Sequence, residues 1–270
     1  MQKMSKEKLK QIYRLKTEKG REKEEKFLIE GLHLCQEAYS SGWDVQLVLF
    51  SSEFGESAAE EKLIQQFSKK GTEIFRTKKK EIEKLTDTET PQGIMAVVQK
   101  EKFTLNKDFL KKASLLLGLD NIRDPGNLGT MIRTADAAGA DGVLLSKGCV
   151  ELYNPKVIRS TMGSIFHLPM IENLDLPEVI PDLKEAGFKI IVSEVHEGKD
   201  YTEVNYPEKT CLIIGSEVSG ISKEISNLAD ERIKIPILGK AESLNASVAA
   251  GVLLYEIVRN KRGTSQEEKT

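Results

Sequence analysis

The feature that most constrains this chain is the rhythm of its C-terminal half, where short, continuously apolar runs alternate with stretches of helical periodicity. Ser114-Leu-Leu-Leu-Gly-Leu119 is such a run, lacking the alternation of a strand with one wet face. Strands of this kind are covered on both sides, as in parallel sheets flanked by helices. Gly142–Leu145, Lys189–Val192, Cys211–Ile214 and Arg232–Ile235 repeat the signal, and helical patterns at 127–138, 154–161, 176–186, 222–229 and 243–260 separate most of them or follow them. The alternation predicts an α/β domain, a mostly parallel sheet with helices on both faces.

The first hundred residues carry a smaller α/β pattern. Residues 5–26 read as a lysine-rich helical stretch, and Phe27–Ser40 reads as a helix with Phe27, Leu28, Leu32, Cys35 and Tyr39 on its apolar face. Strands are expected at Val45–Phe50, Glu73–Phe75 and Ile94–Val98, with helices near 57–70 and 78–85. Residues 100–112 are charged and poorly periodic, so the expected domains are 1–105 and 106–270.

Charge is unevenly spread. Residues 1–112 hold 23 Lys and Arg against 19 Asp and Glu, and the remainder holds 17 against 23, which together give the net −2. Ten basic side chains lie within residues 1–26, and Lys78, Lys79 and Lys80 form a further cluster. Such a face suits a polyanion, although a solvated helix has the same composition. Three scattered cysteines without CxxC spacing argue against a disulfide framework and against a zinc site. No apolar run reaches a membrane span, and the first residues lack a secretory h-region, so a cytoplasmic, metal-free protein is expected.

Ligands of open α/β sheets bind at the carboxyl ends of strands, and three stretches place glycine and polar residues there. In the first, Asp124-Pro-Gly-Asn127 has the pattern of a type II turn, with Asn127 as helix cap and Gly139 as stop. Arg133 falls opposite the apolar arc of that helix, among Gly129, Thr130 and Ala137. In the second, Gly215 and Gly220 bracket Glu217 after a buried strand. In the third, Pro236 to Gly239 leads to Ser243, expected to cap a closing helix dense in Ala, Ser and Gly. Each stretch alone is as compatible with a plain turn or a core helix as with a site.

Together they resemble the three motifs of the SpoU/TrmH family of RNA 2′-O-ribose methyltransferases, within the SPOUT superfamily. Asn121, Asn127, Gly129 and Arg133 match the first motif, and Gly215, Glu217 and Gly220 the second. Pro236, Gly239, Ser243, Leu244, Asn245, Ser247 and Ala249 match the third. Asn154–Ser164 resembles the family's segment between motifs one and two, and Phe27–Gly31 with Thr90–Gly93 resembles its ribosomal-protein-like substrate-binding domain.

The resemblance implies a trefoil-knotted catalytic sheet, S-adenosylmethionine as cofactor, RNA as substrate (ribosomal RNA ahead of transfer RNA) and a homodimer through the C-terminal helix. It implies that Gly215, Ile235 and Leu244 cradle the cofactor, with Ser243 and Asn245 beside the transfer centre. Arg133 would be the activating residue, either partly deprotonated beside an RNA phosphate or charged and orienting the hydroxyl, the latter favoured because guanidinium is a poor base. Asn127 would position the ribose or Arg133, and Glu217 would order the second loop. Arg159 and Lys78, Lys79 and Lys80 would meet RNA. A non-catalytic RNA-binding or ribosome-assembly protein is the competing reading; retention of Arg133 and Asn245 favours the enzyme.

Overall fold

The computed structural model describes residues 4–267. Two compact units are present: one comprises the chain up to Glu101 with Tyr153–His167, the other Lys102–Leu152 and Leu168 onward.

The first unit contains, in order, α1 (Lys6–Arg14), α2 (Glu18–Glu24), β1 (Lys26–Glu30), α3 (Leu32–Ser40), β2 (Val45–Ser51), α4 (Ala58–Lys69), β3 (Glu73–Thr77), α5 (Lys79–Leu85) and β4 (Ile94–Gln99). Its sheet runs β1-β4-β2-β3, with β4 antiparallel to both neighbours and β2 parallel to β3. The lysine-rich stretch is two helices rather than one, capped by Ser5 and Thr17. The single helix expected over Phe27–Ser40 is a correction: Phe27, Leu28 and Ile29 are buried in a strand, and Gly31, at φ 97°, separates it from α3. An apolar run this short is ambiguous between strand and helix. Phe27 anchors the segment Tyr153–His167, its ring 4.6 Å from that of Tyr153, while Trp43 stacks edge-on to Phe166 at 5.2 Å and donates Nε1–H to its carbonyl.

The second unit begins with α6 (Lys107–Lys112), β5 (Leu115–Asp120), α7 (Pro125–Ala137) and β6 (Gly142–Ser146). After α8 (Pro155–Thr161), which belongs to the first unit, come β7 (Met170–Leu174), α9 (Leu176–Glu185), β8 (Lys189–Ser193), β9 (Lys199–Asp200), β10 (Thr210–Gly215), α10 (Lys223–Leu228), β11 (Glu231–Lys234) and α11 (Ala246–Glu267). The sheet order is β7-β6-β5-β10-β8-β11-β9, every pair parallel. Leu116, Leu144, Ile190 and Ile213 pack with Ile180, Leu183 and Ile225 of α9 and α10 on one face. On the other, α7 and α11 pack together, contributing Leu128, Met131, Ile132, Leu253 and Ile257, all with no exposed surface.

Two caps differ from expectation. The turn at 124–127 is instead the first turn of α7: Asp124 is the cap, accepting from Asn127 N–H at 2.8 Å, with Pro125 at the first helical position. Pro lacks the N–H that a helix start leaves unbonded, so the Asp-Pro pair starts the helix and frees the Asn127 side chain. Likewise Ser243 does not cap the closing helix, since Asn245 does, two residues later. Strands β7 and β9, absent from the sequence reading, form the two edges, where one-sided pairing needs less apolar sequence.

Candidate active site

The carboxyl ends of β5, β10 and β11 lie on one edge of the parallel sheet, and each is followed by one of the three glycine-containing loops. Gly215 ends β10 where a Cβ would collide with the Gly220 backbone, because Ser216 to Gly220 closes a tight loop by a Ser216–Gly220 bridge. Ser216 Oγ accepts from Ser219 N–H at 3.1 Å, holding that loop shut and leaving Glu217 and Val218 at its exposed tip.

A single chain of hydrogen bonds ties all three loops. Asn127 Nδ2 donates to Glu217 Oε1, and Asn245 Nδ2 donates to Asn127 Oδ1 at 3.0 Å. Asn245 Oδ1 in turn accepts from Ser247 N–H at 2.9 Å, Ser247 Oγ at 2.6 Å and Val248 N–H at 3.3 Å. A carboxylate only accepts, so Glu217 dictates which end of the Asn127 amide faces it, and thereby the orientation of Asn245. The freed end of each amide fits the next partner, down to the unbonded N–H groups that begin α11. Asp120 adds a fourth tie, its Oδ2 accepting from Ser222 N–H at 3.1 Å at the start of α10.

Beside this chain lies a cleft of about 50 Å³, lined by Val195, Ile235, Ile237, Leu244 and Ala249, with Ser193, Glu194 and Ser243 completing it. The loop from Pro236 to Asn245 is exposed apart from the half-buried Ile237, and Leu238 is almost wholly so. Glu194 is fixed by Ser226 Oγ at 2.9 Å. The Ser193–Val195 wall escaped the sequence reading, although the Lys189–Val192 run ends in the same apolar-to-polar transition as the other three strands.

The structure therefore brings together Asn127, Gly215, Glu217, Ile235, Ser243, Leu244 and Asn245. Arg133 stands apart, exposed on α7 nearly two turns beyond Asn127, with no hydrogen-bond or ion-pair partner among the described residues. In the first unit, Lys78 occupies the N-cap position of α5 without a side-chain cap bond, Lys79 pairs with Glu53 at 3.2 Å, and Lys80 follows. Arg159 is half-buried on α8, in a small cleft with Lys16, Glu30, Thr86 and Asp87. Among the described residues no cluster of three or more His, Cys, Asp or Glu could hold a metal, and no helix is long and apolar enough to cross a membrane.

Comparisons with known proteins converge. Residues 114–255 match the model of the SpoU rRNA Methylase family, and residues 6–96 match the MRM3-like substrate binding domain. The chain is 37% identical to the Bacillus subtilis 23S rRNA (guanosine(2553)-2′-O)-methyltransferase RlmP, covering 93% of this chain and 96% of that protein. It superposes on the AdoMet-bound SpoU methyltransferase AviRb from Streptomyces viridochromogenes with a TM-score of 0.86, at 28% identity over 96% of this chain and 98% of that one. An AdoMet-bound rRNA methyltransferase from Sinorhizobium meliloti superposes with a TM-score of 0.85, at 28% identity over 96% and 97%.

Proposed function

The chain belongs to the SpoU rRNA methylase family, and on that premise we propose that its three sheet-edge loops align S-adenosylmethionine with a ribose 2′-hydroxyl of ribosomal RNA. The observation that carries this reading is the unbroken Glu217–Asn127–Asn245 chain, which joins the loops beside an apolar cleft. The residues present fit the cofactor. Ile235, Ile237, Leu244 and Ala249 offer an apolar wall to a purine, and Gly215 lets the second loop fold back closely on its own Gly220 backbone. The cleft is far smaller than the ~300–1,000 Å³ of a small-molecule site. The remainder of the ligand would therefore rest against the exposed loop from Pro236 to Asn245.

When bound, the cofactor supplies a methyl group on a positively charged sulfur, an already activated donor. The chain has to hold the attacking oxygen in line and stabilise it as its proton passes to water. Asn127, pinned from both sides, is placed to fix the ribose, with Ser243 and Asn245 beside the transfer centre. Arg133 orients and does not take the proton, because a guanidinium carries five donors and no acceptor. Its unengaged planar fork can grip the hydroxyl and the adjoining phosphate together.

Three further features complete the reading. First, the first unit carries RNA through Arg159 and the Lys78–Lys80 cluster, supported by the substrate-binding model matched over residues 6–96. Second, the catalytic sheet is knotted. In support, β11 lies between β8 and β9, so the Glu194–Gly198 connection crosses it, and Gly198 has no room for a Cβ against the Arg232–Ile233 backbone. Third, the working molecule is a cytoplasmic homodimer through α11, supported by Val248 and Tyr255, about half exposed and one heptad apart on its outer face.

The test is transfer of labelled methyl to deproteinised ribosomal and transfer RNA, with the product mapped by mass spectrometry. A 2′-O-methyl ribose in ribosomal RNA is expected; no transfer to either RNA, with no saturable S-adenosylhomocysteine binding by calorimetry, would favour the non-catalytic RNA-binding alternative. Arg133→Ala should lower turnover about a hundredfold, the usual effect of losing one transition-state donor, with S-adenosylhomocysteine affinity kept. A variant of near-normal rate removes Arg133 from the mechanism.

A further inference from the structure

Arg123 sits between β5 and α7, and the residues around it hold it in one place. Asn121, two residues earlier, has a left-handed backbone at φ 61°, unusual for a residue with a Cβ. Its N–H donates to Ser146 Oγ at 2.9 Å, and its side-chain amide lies where a Cβ on Gly148 would otherwise be. Ile122 is fully buried, and its carbonyl accepts from Val150 N–H at 2.8 Å. Thus the loop after β6 clamps residues 121 and 122 from backbone to side chain. Out of that clamp Asn121 Oδ1 accepts from Arg123 Nε at 3.3 Å. The guanidinium is exposed, and its two terminal amino groups have no partner among the described residues. An arginine steadied at Nε, with both Nη groups open, is a fork ready for a phosphate.

Its place along the sheet edge says which phosphate. Crossing the carboxyl ends in sheet order, the cofactor cleft involves the segments after β8 and β11. The Asn127–Glu217–Asn245 chain spans the loops after β10, β5 and β11. The Arg123 clamp lies on the opposite flank of β5, against the loop after β6. We propose that Arg123 grips the backbone phosphate of a nucleotide flanking the methylated one, with Asn121 as its positioning residue, so that the RNA strand leaves the site toward β6. This rests on the proposed function and adds a direction for the substrate strand.

The experiment compares wild type, Arg123→Ala, Arg123→Lys, Asn121→Gly and the Arg123→Ala/Asn121→Gly double variant. Equilibrium binding to deproteinised ribosomal RNA is read across a salt series, beside methyl-transfer kinetics. Arg123→Ala should raise KM for RNA about tenfold, leave S-adenosylhomocysteine affinity and melting temperature unchanged, and lower the magnitude of the salt slope by about one. Arg123→Lys keeps the charge without the fork and should fall between. Asn121→Gly suits the left-handed backbone but removes the tether, so its KM should rise less than that of Arg123→Ala. The double variant should then be no worse than Arg123→Ala alone. An Arg123→Ala protein with wild-type KM and salt slope overturns the proposal, as does full additivity in the double variant. Wild-type protein that methylates no RNA would defeat the proposed function instead, a different result in the same experiment.

Discussion

At the scale of single residues, the site is an exercise in directed hydrogen bonding. Because Glu217 can only accept, it sets the sense of two asparagine amides in series. Replacing it with Gln retains an acceptor but lets the amides reverse, whereas Ala removes the bond. Glu217→Ala should therefore lower kcat/KM for RNA about tenfold, the scale of a lost charge-assisted bond, and Glu217→Gln by less; equal losses would show that amide direction is irrelevant. Gly215→Ala is a harsher change, as its methyl would meet the Gly220 backbone. A loss of ~1–3 kcal/mol in stability is expected, together with weakened S-adenosylhomocysteine binding, both readable in one thermal-shift titration. Most of these residues were legible in the sequence because glycine and asparagine after an apolar run are conspicuous. Arg123 was not, since an arginine in a charged loop looks like any other until Gly148 and Ser146, far along the chain, are seen to fix its neighbour.

At the scale of elements, most strands and helices of the second unit followed from periodicity almost to their ends, whereas the edge strands β7 and β9 and the short α6 did not. Asp124 and Asn127 are both good caps, and only the helical Pro125 decides between them. Removing that cap with Asp124→Ala should cost about 1 kcal/mol in urea unfolding, while Asp124→Ser should be nearly silent. In the first unit, Phe27–Ser40 misled because five apolar residues at helical spacing also describe a strand followed by a helix. Helix α11 carries a titratable lock. Arg259 donates to both oxygens of the Glu256 carboxylate at 2.6 and 2.9 Å and holds it below the usual carboxylate range, opposed by burial and assisted by Asn260. A carboxylate depressed in the folded state contributes stability above its unfolded pKa, and that contribution fades as pH drops through the folded one. Glu256→Gln should therefore lower the melting temperature at pH 7 and flatten its decline as the pH falls below the ordinary glutamate range. A parallel decline in both proteins would mean that the Arg259 contact does not depress the Glu256 carboxyl.

At the scale of the whole molecule, what the sequence could not convey was spatial order. Nothing in a list of strands says that β10 lies between β5 and β8, or that Tyr153–His167 leaves one unit to pack in the other. These arrangements come from long-range pairing, which leaves no local trace. The outer stripe of α11 makes the assembly testable. On the proposal of a dimer through α11, wild-type protein should sediment as a dimer and Val248→Glu, changing a half-exposed residue, as a folded monomer; a wild-type monomer, or a dimer unchanged by the substitution, overturns that proposal. The position of β11 has a temporal consequence. It is synthesised after both strands that flank it, β8 and β9, so the sheet can close only after the chain has been made as far as Lys234. Closing the sheet therefore means inserting a strand between two partners already made, rather than adding one to a free edge.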